Sequence, residues 1–205
     1  MKRAPRGSGD LDALRRKAKR CRACPLWERA TQTVFGAGPS AAEVVFVGEQ
    51  PGDQEDRQGE PFVGPAGGLL REALGQAGID ESKVYLTNAV KHFKWKPQGK
   101  RRIHERPNRE EILACRMWLE GELAAIKPRV VVALGATAAT TLLGSSVRVT
   151  KDRGRMLPSS LAEFVTVTVH PSSILRAPDA DARRVAMRQF VEDLKKIAST
   201  LKRSS

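Results

Sequence analysis

Four short apolar runs set the frame for this chain: VVFV at 44–47, VYL at 84–86, VVVAL at 130–134 and FVTVTV at 164–169. Their apolar character is largely continuous rather than alternating, as in strands covered on both faces. Each run is followed by a loop and then by a helical pattern, the rhythm of parallel strands joined by helical crossovers. Helices are expected over residues 65–78 and 181–201. A third is expected after Asn108, which can cap a helix with Glu111 three residues on. Ile112, Cys115, Leu119, Leu123 and Ile126 then form its apolar stripe, and Lys127-Pro128 ends it. The expected fold class is α/β: a single three-layer α/β/α sandwich with a central four-stranded parallel sheet. The 205 residues suffice for one such domain with a full core, whereas two would be cramped. Residues 1–20 read as a basic N-terminal tail and the start of a helix from about Asp10, and residues 21–205 as the domain.

Charge narrows the class of partner. The chain carries a formal net charge of +13, and it is concentrated. Residues 91–109, KHFKWKPQGKRRIHERPNR, hold eight lysines and arginines against one acid, Glu105. Residues 1–20 hold eight more against Asp10 and Asp12. Such clusters suit phosphates, and no basic amphipathic helix with an aromatic face points to a membrane. No run of eighteen apolar residues is present, and the basic N-terminus lacks the apolar stretch of a secretory signal. A cytoplasmic, monomeric, nucleic-acid-binding protein is expected. His104 lies inside the cationic window, where like charge disfavours its protonation and biases it toward the neutral, nucleophilic form.

In open α/β sheets, ligands bind outside the carboxyl ends of the strands. That rule selects the segments GEQPGD at 48–53, Thr87-Asn88, LGAT at 134–137 and HPSS at 170–173. Glu49 follows the first strand directly and is suited to stabilise a developing cation or orient water. Asn88 offers a donor and an acceptor, the equipment for reading one edge of a base. Phe62, in the Gly/Pro-rich PFVGP loop, either stacks on a planar ligand or closes the core. His170, Ser172, Ser173 and Arg176 combine an imidazole, two hydroxyls and a cation, a set that grips phosphates or caps a short helix. Neither a phosphate-binding GxxxxGK[ST] loop nor a GxSxG nucleophile elbow is present.

Cys21 and Cys24 have CxxC spacing, and Cys115 lies far downstream. They are one ligand short of a tetrahedral set, and His92 could complete it. A Cys3His set holds either zinc or an iron–sulfur cluster, and spacing does not separate them. Ordinary cysteines with no shared ligand are the alternative. Three cysteines without an export signal make a disulfide framework improbable.

Taken together, GEQPGD, PFVGPAG, the TN after the second run, the ALG after the third and the HPSS after the fourth resemble the uracil-DNA glycosylase superfamily. The likeness is nearest to its iron–sulfur branch, family 4, and extends over residues 21–201. Gln50, where family 4 has Ala, and the inserted Lys100-Arg101-Arg102-Ile103-His104 resemble the UdgX subgroup. The resemblance implies a 4Fe-4S cluster on Cys21, Cys24, His92 and Cys115, with His92 in place of a family 4 cysteine. It implies uracil-containing DNA as substrate, single strands included, and uracil as product. It further implies that Phe62 stacks on the base and Asn88 hydrogen-bonds it, with backbone groups near Gln50 and Asp53 completing the pocket. His170 would stabilise the departing uracil, Glu49 or Asp53 would face the sugar, and Lys100, Arg101 and Arg102 would contact DNA. His104 would attack the anomeric carbon and remain joined to the abasic strand. Two rival readings are a turnover glycosylase using water and a non-catalytic nucleic-acid-binding protein with a structural Cys3His metal site.

Overall fold

The structure, a computed structural model, describes residues 8–203; residues 1–7 of the expected tail lie outside them. In chain order the elements are α1 (Ser8–Ala18), β1 (Val44–Gly48), α2 (Asp53–Gln58), α3 (Pro65–Ala77), β2 (Val84–Asn88), β3 (Trp95–Gln98) and β4 (Arg101–His104). They continue with α4 (Arg109–Ile126), β5 (Val130–Leu134), α5 (Gly135–Leu143), α6 (Val149–Asp152), β6 (Leu157–Pro158), β7 (Phe164–Thr168), α7 (Pro171–Leu175) and α8 (Ala180–Lys202). The main sheet runs β2-β1-β5-β7-β6. Its first four strands are the four apolar runs, and they pair in parallel.

The sheet has five strands rather than the expected four, because β6 adds a two-residue antiparallel edge. Two residues, one of them Pro158, leave no apolar run to read, and proline is tolerated at an edge because it needs no inward N–H. The second difference is a separate hairpin, β3 with β4. Its strands hold only scattered apolar residues, so in sequence it reads as a charged loop. The Gly99-Lys100 turn, with Gly99 at φ 58°, closes it.

Alternation on the central strands sorts the core into two layers. Val45, Val47, Tyr85, Val131, Ala133, Val165 and Val167 pack with α1, α4 and α5. Val44, Phe46, Val84, Val130, Val132 and Leu134 pack with α3 and α8 on the opposite face. Thr168 also faces α8, where its hydroxyl donates to Asp193 at 2.7 Å. Helix α4 begins at the reciprocal cap read from sequence: Asn108 Oδ1 accepts from the Glu111 amide at 2.8 Å, and the Glu111 carboxylate accepts from the Asn108 amide at 2.7 Å. Such a cap contributes about 1 kcal/mol. The helix ends at Lys127, in the left-handed region at φ 51°, just before Pro128. No helix among the described residues is long and apolar enough to cross a membrane.

Candidate active site

The carboxyl ends of the four parallel strands open onto one cleft of about 640 Å³. Glu49 and Gln50 reach it from β1, Asn88 from β2, Thr137 from the α5 start beyond β5, and His170 and Ser172 from the β7 end. Phe62 forms a wall, and His104 and Arg106 come from the hairpin side. The register Gly48↔Asn88 brings the ends of β1 and β2 level. Gly48 allows the close approach: a Cβ there would stand 2.3 Å from Asn88 Oδ1 and 2.9 Å from the Phe62 ring. Phe62 is buried in the left-handed region, at φ 58°. Such backbone strain is held only where surrounding contacts fix it, and here Arg71 donates to the Phe62 carbonyl at 2.9 Å. The Phe62 ring lies stacked toward His170, centroids 6.2 Å apart and planes 25° from parallel.

His170 caps α7. Its Nδ1 accepts from the Ser172 amide at 3.1 Å and lies 2.8 Å from Ser172 Oγ. With Nδ1 accepting, the neutral ring carries its proton on Nε2 and can donate from that nitrogen. Burial, aided by Arg176 and His104, pushes the His170 pKa down to about 4, so the ring is neutral near pH 7.

Glu49 is held by its two oxygens. Oε2 accepts from the Thr137 hydroxyl, and Thr137 Oγ1 in turn accepts from Arg106 Nε at 3.1 Å. Oε1 lies 3.5 Å from His104 Nε2. The His104 pKa is lowered from its ordinary value, mainly by desolvation; Glu49 opposes the shift and Arg176 adds to it. The expected neutral bias is therefore present with a different cause. The contributing cation is Arg176, from the α7 end, and not the surrounding basic window.

The side chains of three residues expected at the site have protein partners. The Gln50 amide is fully engaged with the base of the hairpin: it donates to the Glu105 carbonyl at 2.8 Å and the Lys94 carbonyl at 3.3 Å, and accepts from the Lys94 amide at 3.0 Å. The Asp53 carboxylate is bound by Arg57 and Arg102 rather than lining the cleft. The Arg102 guanidinium is bound by Asp53 at 2.5 Å and the buried Asp56 at 2.6 Å, and lies over Phe93 and Trp95. Both partners are charged, which strengthens these bonds, and they make Arg102 an anchor of the hairpin. Arg102 and His104, two residues apart, share one face of β4. Lys100 and Arg101 are exposed at the hairpin tip, and Arg176 and Ser173 are exposed at α7, where Ser173 Oγ donates to the His170 carbonyl at 2.7 Å. Thr137 belonged to a loop selected from sequence, but no residue-level signal marked it as Glu49's partner. Asp56 gave no signal at all.

The three cysteines gather near α4. Cys115 is buried on α4, and its Sγ accepts from the Lys91 amide at 3.1 Å. Cys21 Sγ accepts from the indole of Trp118, one turn after Cys115, at 3.1 Å. Burial pushes the Cys115 thiol up to about 12, with Cys21 and Cys24 near enough to add to the shift. His92 is buried, and its Nδ1 has no hydrogen-bond partner. Its Nε2 lies 2.9 Å from Thr33 Oγ1, and that hydroxyl donates to the Ala18 carbonyl at 2.9 Å. Thr33 therefore accepts from Nε2–H, which leaves the Nδ1 lone pair free. The unpartnered Nδ1 of buried His92 and the three free thiols are donors of the kind that a soft-metal group takes. Among the described residues no three such side chains form a site for a single metal ion.

The family model described as the Uracil DNA glycosylase superfamily matches residues 35–195. The Type-4 uracil-DNA glycosylase of Thermotoga maritima is 39% identical over 194 residues, covering 94% of this chain and 95% of that protein. The Type-4 uracil-DNA glycosylase of Pyrobaculum aerophilum is 38% identical over 176 residues, covering 82% of this chain and 86% of that protein. The Type-5 uracil-DNA glycosylase of Thermus thermophilus is 35% identical over 134 residues, 58% of this chain and 56% of that protein. A family match over most of the length, with the cleft at the ends of the matched strands, makes this chain a member of the uracil-DNA glycosylase superfamily.

Proposed function

We propose that this protein is a UdgX-type uracil-DNA glycosylase that excises uracil from DNA and becomes joined, through His104, to the abasic site it creates. The observation that carries the reading is His104 lining the cleft 3.5 Å from Glu49, opposite the strand ends that supply Asn88 and His170. Extruded uracil would sit between Phe62 and Asn88, with the ring stacked and its polar edge hydrogen-bonded. As the N-glycosidic bond breaks, its electron pair leaves with uracil, and His170 Nε2–H donates to the charge that develops there. The sugar becomes cation-like, and Glu49 stabilises it electrostatically.

A neutral ring nitrogen of His104 then forms a bond to the anomeric carbon. The alkylated ring loses its remaining N–H proton by way of Glu49, and the uracil anion gains one, so the exchange consumes no water. A tethered imidazole outcompetes bulk water because it is already in place. The N-alkyl imidazole is a poor leaving group near neutral pH, so the adduct persists and each molecule acts once.

Cys21, Cys24, Cys115 and His92, through Nδ1, would hold a 4Fe-4S cluster, the group implied by the likeness to the iron–sulfur branch. Its contribution when bound is structural: it ties the start of the hairpin segment to α4 and the α1 end. Iron and sulfide analysis of the purified protein checks this; zinc alone would refute it.

Incubation with single-stranded DNA containing one uracil tests the whole reading. A denaturant-stable protein–DNA band is expected. His104→Ser should abolish the band while free uracil is still released. Multiple turnovers by the unaltered protein would favour the water-using rival, and intact uracil would favour the non-catalytic one.

A further inference from the structure

The cleft is not closed beside Arg106 and Thr137. These two residues also line a second cavity, of about 710 Å³, that opens between α4 and α5. The α4 side contributes Arg109, Leu113 and Arg116, and the α5 side contributes Thr140 and, past its end, Ser145. Arg106, Arg109 and Arg116 place three guanidinium groups on this lining, which contains no aspartate or glutamate. Arg116 has one nearby acid, Glu120 at 2.7 Å, in a half-exposed pair four residues apart on the same helix. Such surface pairs hold little energy and exchange readily for another anion. Leu113 is 53% exposed, an apolar step set among the cations.

An extruded uridine remains bonded to its neighbours on both sides, so the strand must leave the cleft in two directions. Guanidinium and hydroxyl groups are the usual partners of backbone phosphates, and an apolar side chain between them offers a surface for an unpaired base. We propose that the α4–α5 groove carries one flank of the substrate strand, with Arg109 and Arg116 on phosphates and Leu113 against a base. This rests on the uracil-DNA reading of the adjoining cleft. It gives that cleft a directional extension that favours single-stranded substrate, because the groove offers base contacts as well as charge.

The test uses single-stranded oligonucleotides with one uracil, extended on the 5′ side alone, the 3′ side alone, or both. Uracil release is followed below saturation. The unaltered protein should gain from extension on each side, by about tenfold on the side that enters the groove. R109E/R116E should abolish that gain and keep the gain from the other side, and R109Q/R116Q should reduce it by a smaller factor. The salt dependence for the favoured extension should flatten by about one unit of slope per arginine removed. K195E/K202E supplies a control with the same change in net charge. Lys195 and Lys202 lie toward the α8 end that meets the opening of β5, where Arg129 donates to the Leu201 carbonyl at 3.0 Å, remote from the cleft. This control should keep both gains. Equal losses on both flanks in R109E/R116E, or an undiminished gain, would overturn the groove assignment. Failure of the unaltered protein to release uracil from any of the oligonucleotides would instead overturn the functional reading beneath it.

Discussion

His104 and His170 are both biased toward neutrality, and neutrality serves a different task in each. On the proposed reading the neutral form of His104 is the nucleophile, so adduct formation should fall as pH drops through the His104 pKa. That pKa is lowered from 6.5, so the acid limb of adduct formation should lie below 6.5. Arg176 is one cause of the lowering, and Arg176→Gln should move the limb upward. Single-turnover rates of adduct formation across pH check both statements; a midpoint at or above 6.5 in the unaltered protein would contradict them. Thr137 is a further residue whose role follows from its bonds. Its hydroxyl fixes Glu49, so Thr137→Val should slow adduct formation by about tenfold or more while leaving stability within about 1 kcal/mol. Chemical denaturation alongside the rate assay separates the two effects. Glu49, Asn88, Phe62 and His170 could be selected from sequence because each directly follows a strand or sits in a Gly/Pro loop. Thr137 was legible only as part of a loop, since its partner is 88 residues away in the chain.

The β3–β4 hairpin is the element on which the proposed chemistry turns, and polar contacts fasten it where an apolar core would normally do so. Gln50 bonds its base through three hydrogen bonds, and Arg102 ties its second strand to Asp53 and Asp56 on α2. Arg102→Met removes both ion pairs and leaves buried Asp56 without its cation. We expect about 2–4 kcal/mol of destabilisation and loss of adduct with uracil release retained. Adduct lost in parallel with all uracil release would show that the hairpin is needed for excision itself. The parallel sheet and its main helices were legible because continuous apolar runs and one capping box encode them locally. The hairpin was not, because its docking rests on Gln50, Asp53 and Asp56, which lie far from it in sequence. The same distance explains why Arg102 read as a DNA contact: its charge was visible, its partners were not.

Across the whole molecule, a buried ion pair links the cleft to the cysteine region. Lys91 and Glu122 have no exposed side-chain surface and lie 2.6 Å apart. Lys91 Nζ also donates to the Asn88 carbonyl at 2.9 Å, while its own amide donates to Cys115 Sγ. Glu122 accepts from Tyr85, Thr87 and the Gly36 amide as well. Lys91→Met should cost about 3–5 kcal/mol, because it strands a carboxylate in the core; K91M/E122L should cost less than K91M alone, as denaturation curves would reveal. On the proposed reading, the sheet presents base-reading groups from one set of strand ends, and the separately anchored His104 imidazole lines the same cleft. The most direct test of that account is mass spectrometry of the protease-digested protein–DNA adduct. The account predicts a deoxyribose-linked peptide modified at His104. Modification of any other side chain, or no adduct at all, would contradict it.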